Sequence, residues 1–180
     1  DLAVHSLKDL PTELPEGLTI GIVPEREDPR DALVGKTLDE LKPGDRIGTG
    51  SLRRAAQIRR LKPGVETLDI RGNVDTRLRK LDEGQFDAII LACSGLIRLG
   101  LEDRITQALD PELMAPAIGQ GALGIEVRIG DGVTLEALAT LNHLPTHQAV
   151  EAERSLLDAF GGGCQVPLGG YARIDGDDLH

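Results

Sequence analysis

A thiol set among glycines is the first residue here that could do covalent chemistry. Cys164 lies in GGGCQVPLGG, residues 161–170, with five glycines among ten positions. A cysteine used for packing belongs in an apolar strand or helix, so this one is either presented for chemistry or caught in a turn. A second feature is cationic. From Arg46 to Lys80 there are ten basic residues against three acids, a segment of +7 in a chain of net charge −10. Such a concentration suits an anion site, although basic helical faces are also simply solvated, and charge alone does not choose. The third feature is VHSLKDLP, with His5, Ser6, Lys8 and Asp9 at the end of a strand-like run. It reads as a charged loop leaving a sheet, or as a carboxylate able to steady a developing cation or move protons.

The elements that must position these residues alternate between β-branched runs and helical patterns, the signature of βα units and mostly parallel sheets. Strands are expected at 2–5, 18–23, 46–48, 66–70, 86–91 and 122–127. Helices are expected at 51–61, capped by Ser51, and at 73–81, capped by Asn73 and closed at Gly84, with later ones at 134–141 and 146–160. Arg53 and Arg54 then fall in a helical first turn, where each cation costs about 0.3–1 kcal/mol against the dipole. That placement favours a carboxylate or phosphate ligand, because local rules broken without compensation mark functional sites. RGNVDTR repeats the arrangement: Arg71 ends a strand, Gly72 turns the backbone, Asn73 caps, and Arg77 lies one turn on. Both sets sit at the carboxyl ends of strands, where open α/β sheets bind ligands. Arg59, Arg60, Arg79 and Lys80 lie toward helix C-termini, where an exposed cation needs no ligand.

The charged, proline-bearing stretch 24–31 is expected to cross between two lobes, with a second crossing near 114–121. This predicts a two-lobed cleft in which 1–24 and 117–142 belong to a first domain and 25–116 to a second. Residues 143–180 open a third, small α+β domain.

Composition excludes several classes. Phe86, Phe160 and Tyr171 are the only aromatic residues, too few rings to stack single-stranded bases, and the acidic balance argues against duplex DNA. The longest clean apolar run, Ala88 to Cys93, is far too short for a bilayer. With no basic and apolar leader and two distant cysteines, the chain reads as cytoplasmic. Cys93 reads as a small buried hydrophobe. His143 and His147 have the spacing of a helical metal pair, but Pro145 between them should interrupt the helix and no third ligand is evident, so no metal is expected. Gln120, in GQG, fits a turn residue or a carboxylate donor. The glycines around Cys164 are no phosphate loop, since no GK[ST] follows. Met114 is the only methionine, and the chain opens directly in a strand-like run, which points to a piece of a longer protein.

Taken in order, VHSLKDLP, EREDPRDAL, GTGSLRR, RGNVDTR, FDAIILACSGLIRLG, PAIGQGALGIE and GGGCQVPLGG resemble the porphobilinogen deaminase family along essentially the whole chain. The resemblance implies a three-domain α/β fold whose first two domains form a periplasmic-binding-protein-like cleft. It implies a dipyrromethane cofactor on Cys164 through a thioether, and polymerisation of four porphobilinogens into hydroxymethylbilane with loss of ammonia. Asp9 would be the catalytic carboxylate, holding pyrrole N–H groups and stabilising cationic intermediates. Arg53, Arg54, Arg71 and Arg77 would bind cofactor and substrate carboxylates, assisted by Ser6, Lys8, Thr49, Ser51, Gly72 and Gln120. The partner is a small molecule, with no nucleic acid, membrane or second subunit required. Relative to the family, several tens of residues before Asp1 and part of the third domain are absent, and Gly50 stands where serine is common. The alternatives are an anion-binding module without turnover, to which Cys164 and Asp9 would be dispensable, and an inactive fragment.

Overall fold

The computed structural model describes residues 2–161 and 167–180, and its fold is α/β. It divides into two compact units: residues 30–116 form one, and residues up to Pro29 together with those from Ala117 form the other.

The central unit is built on β3 (Asp31–Val34), β4 (Arg46–Gly48), β5 (Glu66–Leu68), β6 (Ala88–Ala92) and β7 (Gln107–Leu109), in the order β5-β4-β6-β3-β7. Three helices belong to it: α1 (Leu52–Leu61), α2 (Val74–Asp82) and α3 (Cys93–Arg98). Every residue of β3 and β6 is buried. The period-two alternation of a strand sorts their side chains onto two faces. Leu33, Ile47, Ala88 and Ile90 pack with Ile58 of α1, while Ala32, Val34, Ile89 and Leu91 pack with Leu78 of α2 and with Cys93 and Leu96 of α3. Cys93 is indeed a buried hydrophobe, wholly inaccessible.

The expected parallel pairing holds where α1 and α2 link strands: β4 runs parallel to both β5 and β6. It does not extend further. β3 is antiparallel to β6 and to β7, so the sheet is mixed rather than mostly parallel. The short runs DALV and QAL carry too little periodic signal to mark strands by themselves, and only their partners on either side make them so.

Local chemistry does set the two helix starts. The Ser51 side chain accepts from Arg54 N, and Asn73 Oδ1 accepts from Thr76 N at 2.9 Å. Gly72 just before that cap has φ +113°, and a Cβ there would fall 2.8 Å from Thr76 Cγ2, so the turn into α2 requires glycine. Asn73→Ala should therefore cost about 1 kcal/mol, and Asn73→Gly only a few tenths, measured as the shift in thermal unfolding.

The other unit holds an antiparallel sheet in the order β1-β8-β2, from β1 (Ala3–Ser6), β2 (Leu18–Ile22) and β8 (Leu123–Arg128). One face packs Leu7, Leu10, Val23 and Ala122 against Val150 of α5 (Leu144–Ala159). The other packs Ile22, Ile125 and Val127 against Leu135 and Leu138 of α4 (Gly132–Leu138). A final hairpin joins β9 (Ile174–Asp175) to β10 (Asp178–Leu179).

Pro145 does not interrupt a helix between the two histidines. It occupies the first turn of α5, where a missing N–H is harmless, and His143 is the cap, its side chain accepting from Thr146 N. His147 Nδ1 lies 2.9 Å from Asn142 Oδ1. No helix among the described residues is long and apolar enough to cross a membrane.

Candidate functional site

Four of the clustered basic residues, Arg53, Arg54, Arg71 and Arg77, lie at or just before the N-termini of α1 and α2, beyond the carboxyl ends of β4 and β5. Thr49 is buried; its N–H donates to Leu68 O at 2.9 Å and its Oγ1 accepts from Ser51 N at 3.2 Å, which shapes the loop into α1. From that first turn Arg53 and Arg54 point inward, with only 6% and 8% of their surfaces exposed. The reason is a residue that the sequence reading passed over. Asp31, fully buried at the head of β3, takes Arg53 Nη1 on Oδ2 at 2.7 Å, and Arg54 Nε and Nη2 on Oδ1 at 2.9 and 2.7 Å. Arg54 Nη1 also donates to Ile90 O at 3.2 Å, and Arg53 Nη1 donates to Ala115 O. The unfavourable first-turn cations thus have a compensating partner, at the end of the stretch expected to cross between two lobes.

Electrostatics follow from this packing. Burial alone would raise the Asp31 carboxyl, but the Arg54 and Arg53 guanidiniums outweigh it and hold it below the ordinary carboxylate value. Burial pulls the Arg53 guanidinium down and Asp31 resists. Two cations share one carboxylate, so the cluster keeps a positive charge.

Arg77 stands beside it. Half-buried in the first turn of α2, it donates from Nε to Gly72 O at 2.8 Å, and its pKa is lowered by burial and then by the Arg54 guanidinium, with Asp69 opposing. Arg71 is exposed and donates from Nε to Asp69 at 2.8 Å. Arg59, Arg60 and Arg79 are exposed as expected for cations near helix ends, whereas Lys80 is partly buried and its Nζ donates to Arg71 O at 3.3 Å. Of the expected binding set, Thr49, Ser51, Arg53, Arg54, Arg71, Gly72 and Arg77 all lie in the central unit.

The remainder lie in the other unit. Ser6 ends β1, and Lys8 and Asp9 lie in the short 3-10 turn Leu7–Asp9, with Lys8 partly buried and Asp9 exposed. Leu7 anchors that turn in the core, and its N–H donates to Ala122 O at 3.0 Å. The GQG turn packs closely behind. A Cβ on Gly119 would sit 3.3 Å from Leu7 and Lys8 backbone atoms, and one on Gly121, at φ +88°, would collide with Glu27 O. Gln120 is 1% exposed and its Nε2 donates to Pro29 O at 2.7 Å. Cys164, expected to carry the cofactor, lies outside the described residues.

A second buried ion pair braces this turn, again unread from sequence. Glu153 of α5 receives Arg26 Nη1 at 2.6 Å and Nη2 at 3.2 Å, and also accepts from Gly119 N at 2.7 Å and Ala172 N at 2.8 Å. The Arg26 guanidinium lies 5.1 Å from the Tyr171 ring centroid. The Arg26 and Glu153 side chains are 8% and 2% exposed, so removing one charge strands the other in the core. Glu153→Gln should lower stability by about 3–5 kcal/mol in thermal or denaturant unfolding; a loss under about 1 kcal/mol would mean that the pair behaves as a solvated one.

The arginine corner of the central unit suits ligands with several carboxylates: guanidinium forks match carboxylate geometry, and helix N-termini add backbone donors. Among the described residues no group of three or more His, Cys, Asp or Glu could hold a metal ion. Comparison with known proteins gives the same direction. Residues 1–136 match the family model described as porphobilinogen deaminase, dipyromethane cofactor binding domain, and residues 147–180 match that of the porphobilinogen deaminase C-terminal domain. The porphobilinogen deaminase of Syntrophobacter fumaroxidans is 60% identical over 97% of this chain and 57% of its own length. That of Roseiflexus castenholzii is 56% identical over 99% of this chain and 60% of its own. Among solved structures, the substrate binding protein of an amino acid ABC transporter aligns with 79% of this chain and 57% of its own at 17% identity and a TM-score of 0.36, too low to bear on the expected lobes. The chain thus spans about three fifths of the length of the curated relatives it matches. With three quarters of its residues inside one model and relatives 60% and 56% identical over nearly its whole length, the chain belongs to the porphobilinogen deaminase family.

Proposed function

We propose that the protein polymerises four porphobilinogens head to tail, with loss of ammonia, into hydroxymethylbilane for tetrapyrrole biosynthesis. The observation that carries this reading is the half-buried Arg77 beside the Arg53–Arg54–Asp31 cluster, a net cationic corner at two helix N-termini. Each pyrrole ring bears an acetate and a propionate, so a dipyrromethane brings four carboxylates, and the residues present fit such a group. When bound through Cys164, it would supply the nucleophilic pyrrole carbon to which units add. In this reading Arg53, Arg71 and Arg77 hold ring carboxylates, Arg54 adds its charge beside them from its bonds to Asp31 and Ile90 O, and the N–H groups behind Ser51 and Gly72 add fixed donors. Asp9 accepts pyrrole N–H bonds and offsets positive charge as ammonia departs. Ser6, Lys8, Thr49 and Gln120 complete the binding set.

The domain reading is kept with it: 1–24 with 117–142, 25–116, and 143–180 as the start of a third domain. It is supported by the two family-model matches, which leave only residues 137–146 between them. Two cysteines lying far apart in the sequence suit a cytoplasmic enzyme, and a small-molecule substrate needs no second copy of the chain.

The test is intact-mass spectrometry of the full-length protein together with a porphobilinogen-consumption assay. An adduct of two pyrrole units and catalytic consumption are expected. A clean unmodified mass with no consumption would leave only an anion-binding module.

A further inference from the structure

We propose that Asp31 is a positioning residue, the buried bracket that aims the α1 guanidiniums and sets how an anionic ligand is held there. The inference rests on the functional reading above and goes beyond the residues it names. Asp31 sits on an interior strand of the central unit, with β6 hydrogen-bonded on one side and β7 on the other. Its two oxygens are divided: Oδ1 takes both Nε and Nη2 of Arg54, while Oδ2 takes one nitrogen of Arg53. Ile90 O holds a third nitrogen of Arg54. The Arg53 Nη1 is further tied to Ala115 O, a carbonyl fixed by reciprocal contacts with Gln57 at 2.8 and 3.1 Å.

The consequence is a division of labour. Arg54 is turned into the fold by three nitrogens and contributes charge, as its effect on neighbouring Arg77 shows. Among the described residues Arg53 gives the bracket only Nη1, which leaves Nε and Nη2 outside the ion pair, where a ligand carboxylate could take them. Without Asp31, two adjacent guanidiniums at a helix N-terminus would repel each other and the dipole, and neither would keep its direction. A misplacement of about 1 Å can cost ~10²-fold in rate, so orientation here should register in turnover and not only in stability.

The experiment compares Asp31→Asn with Leu33→Ala, a core truncation two residues along the same strand, in the full-length protein. Both should lower the unfolding temperature. Assayed well below it, Asp31→Asn should lose at least about tenfold in kcat/KM while still carrying the two-pyrrole adduct, and Leu33→Ala should stay within about threefold of the parent. Equal losses in the two variants, or unchanged kcat/KM in Asp31→Asn, would overturn the proposal. Should Asp31→Asn fail to fold, arginine-labelled parent protein decides by NMR. The Arg54 Nε–H should exchange slowly and be unmoved by porphobilinogen while Arg53 Nε–H shifts; an Arg54 Nε–H exchanging as fast as a free guanidinium would refute the bracket. A parent protein with neither adduct nor turnover would sink the functional reading instead, and the exchange measurement would still judge Asp31.

Discussion

Cys164→Ser in the full-length protein is expected to remove the two-pyrrole adduct from the intact mass and with it all detectable consumption of porphobilinogen. The argument is chemical. A thiolate is a good nucleophile within reach of neutral pH, whereas a serine hydroxyl without a neighbouring base is not, so the anchoring bond should not form. The only other thiol cannot take over: Cys93 is fully buried at the start of α3 among Ala32, Ile89 and Leu96. Cys93→Ser should accordingly keep the adduct. An adduct that survives Cys164→Ser would remove the assignment of this residue, and an adduct lost in Cys93→Ser alone would move it.

Asp9→Ala should leave the protein folded and loaded yet reduce turnover by roughly 10²–10⁴-fold, the range for losing a positioned acid–base or charge-stabilising group. Stability should change little, because the turn that carries Asp9 is secured by Leu7, through its buried side chain and its N–H to Ala122 O. Asp9→Glu keeps the charge but displaces the carboxylate, so it should recover only part of the rate. The measurement is kcat beside a thermal melt. Retention of most activity in Asp9→Ala would end its catalytic role, whatever the fate of the arginines.

The contrast between these two residues and Asp31 shows where sequence reading stops. Asp9 and Cys164 stand in ordered motifs whose residue types and spacing carry the family resemblance by themselves. The caps at Ser51 and Asn73 were equally legible, since a side-chain acceptor three residues ahead of a free N–H is a purely local bond. Strand β4, flanked by turn residues, begins and ends where its run of residues says. By contrast α3, at six residues, merged with the apolar run before it, and β3 and β7 were missed because their four and three residues become strands only by pairing.

Residue type and short-range spacing thus determined the family, the α/β class, the starts of α1 and α2, and the candidates Asp9, Cys164, Arg71 and Arg77. Tertiary structure decided which cations turn inward to a buried carboxylate and which stay exposed. The Asp31 bond to Arg54 spans 23 positions and the Glu153 bond to Arg26 spans 127. No local pattern specifies either pair. Burial makes each partner obligatory, since an unpaired charge in a low-dielectric core is too costly to keep, and the arginines therefore turn to wherever the fold has brought a carboxylate.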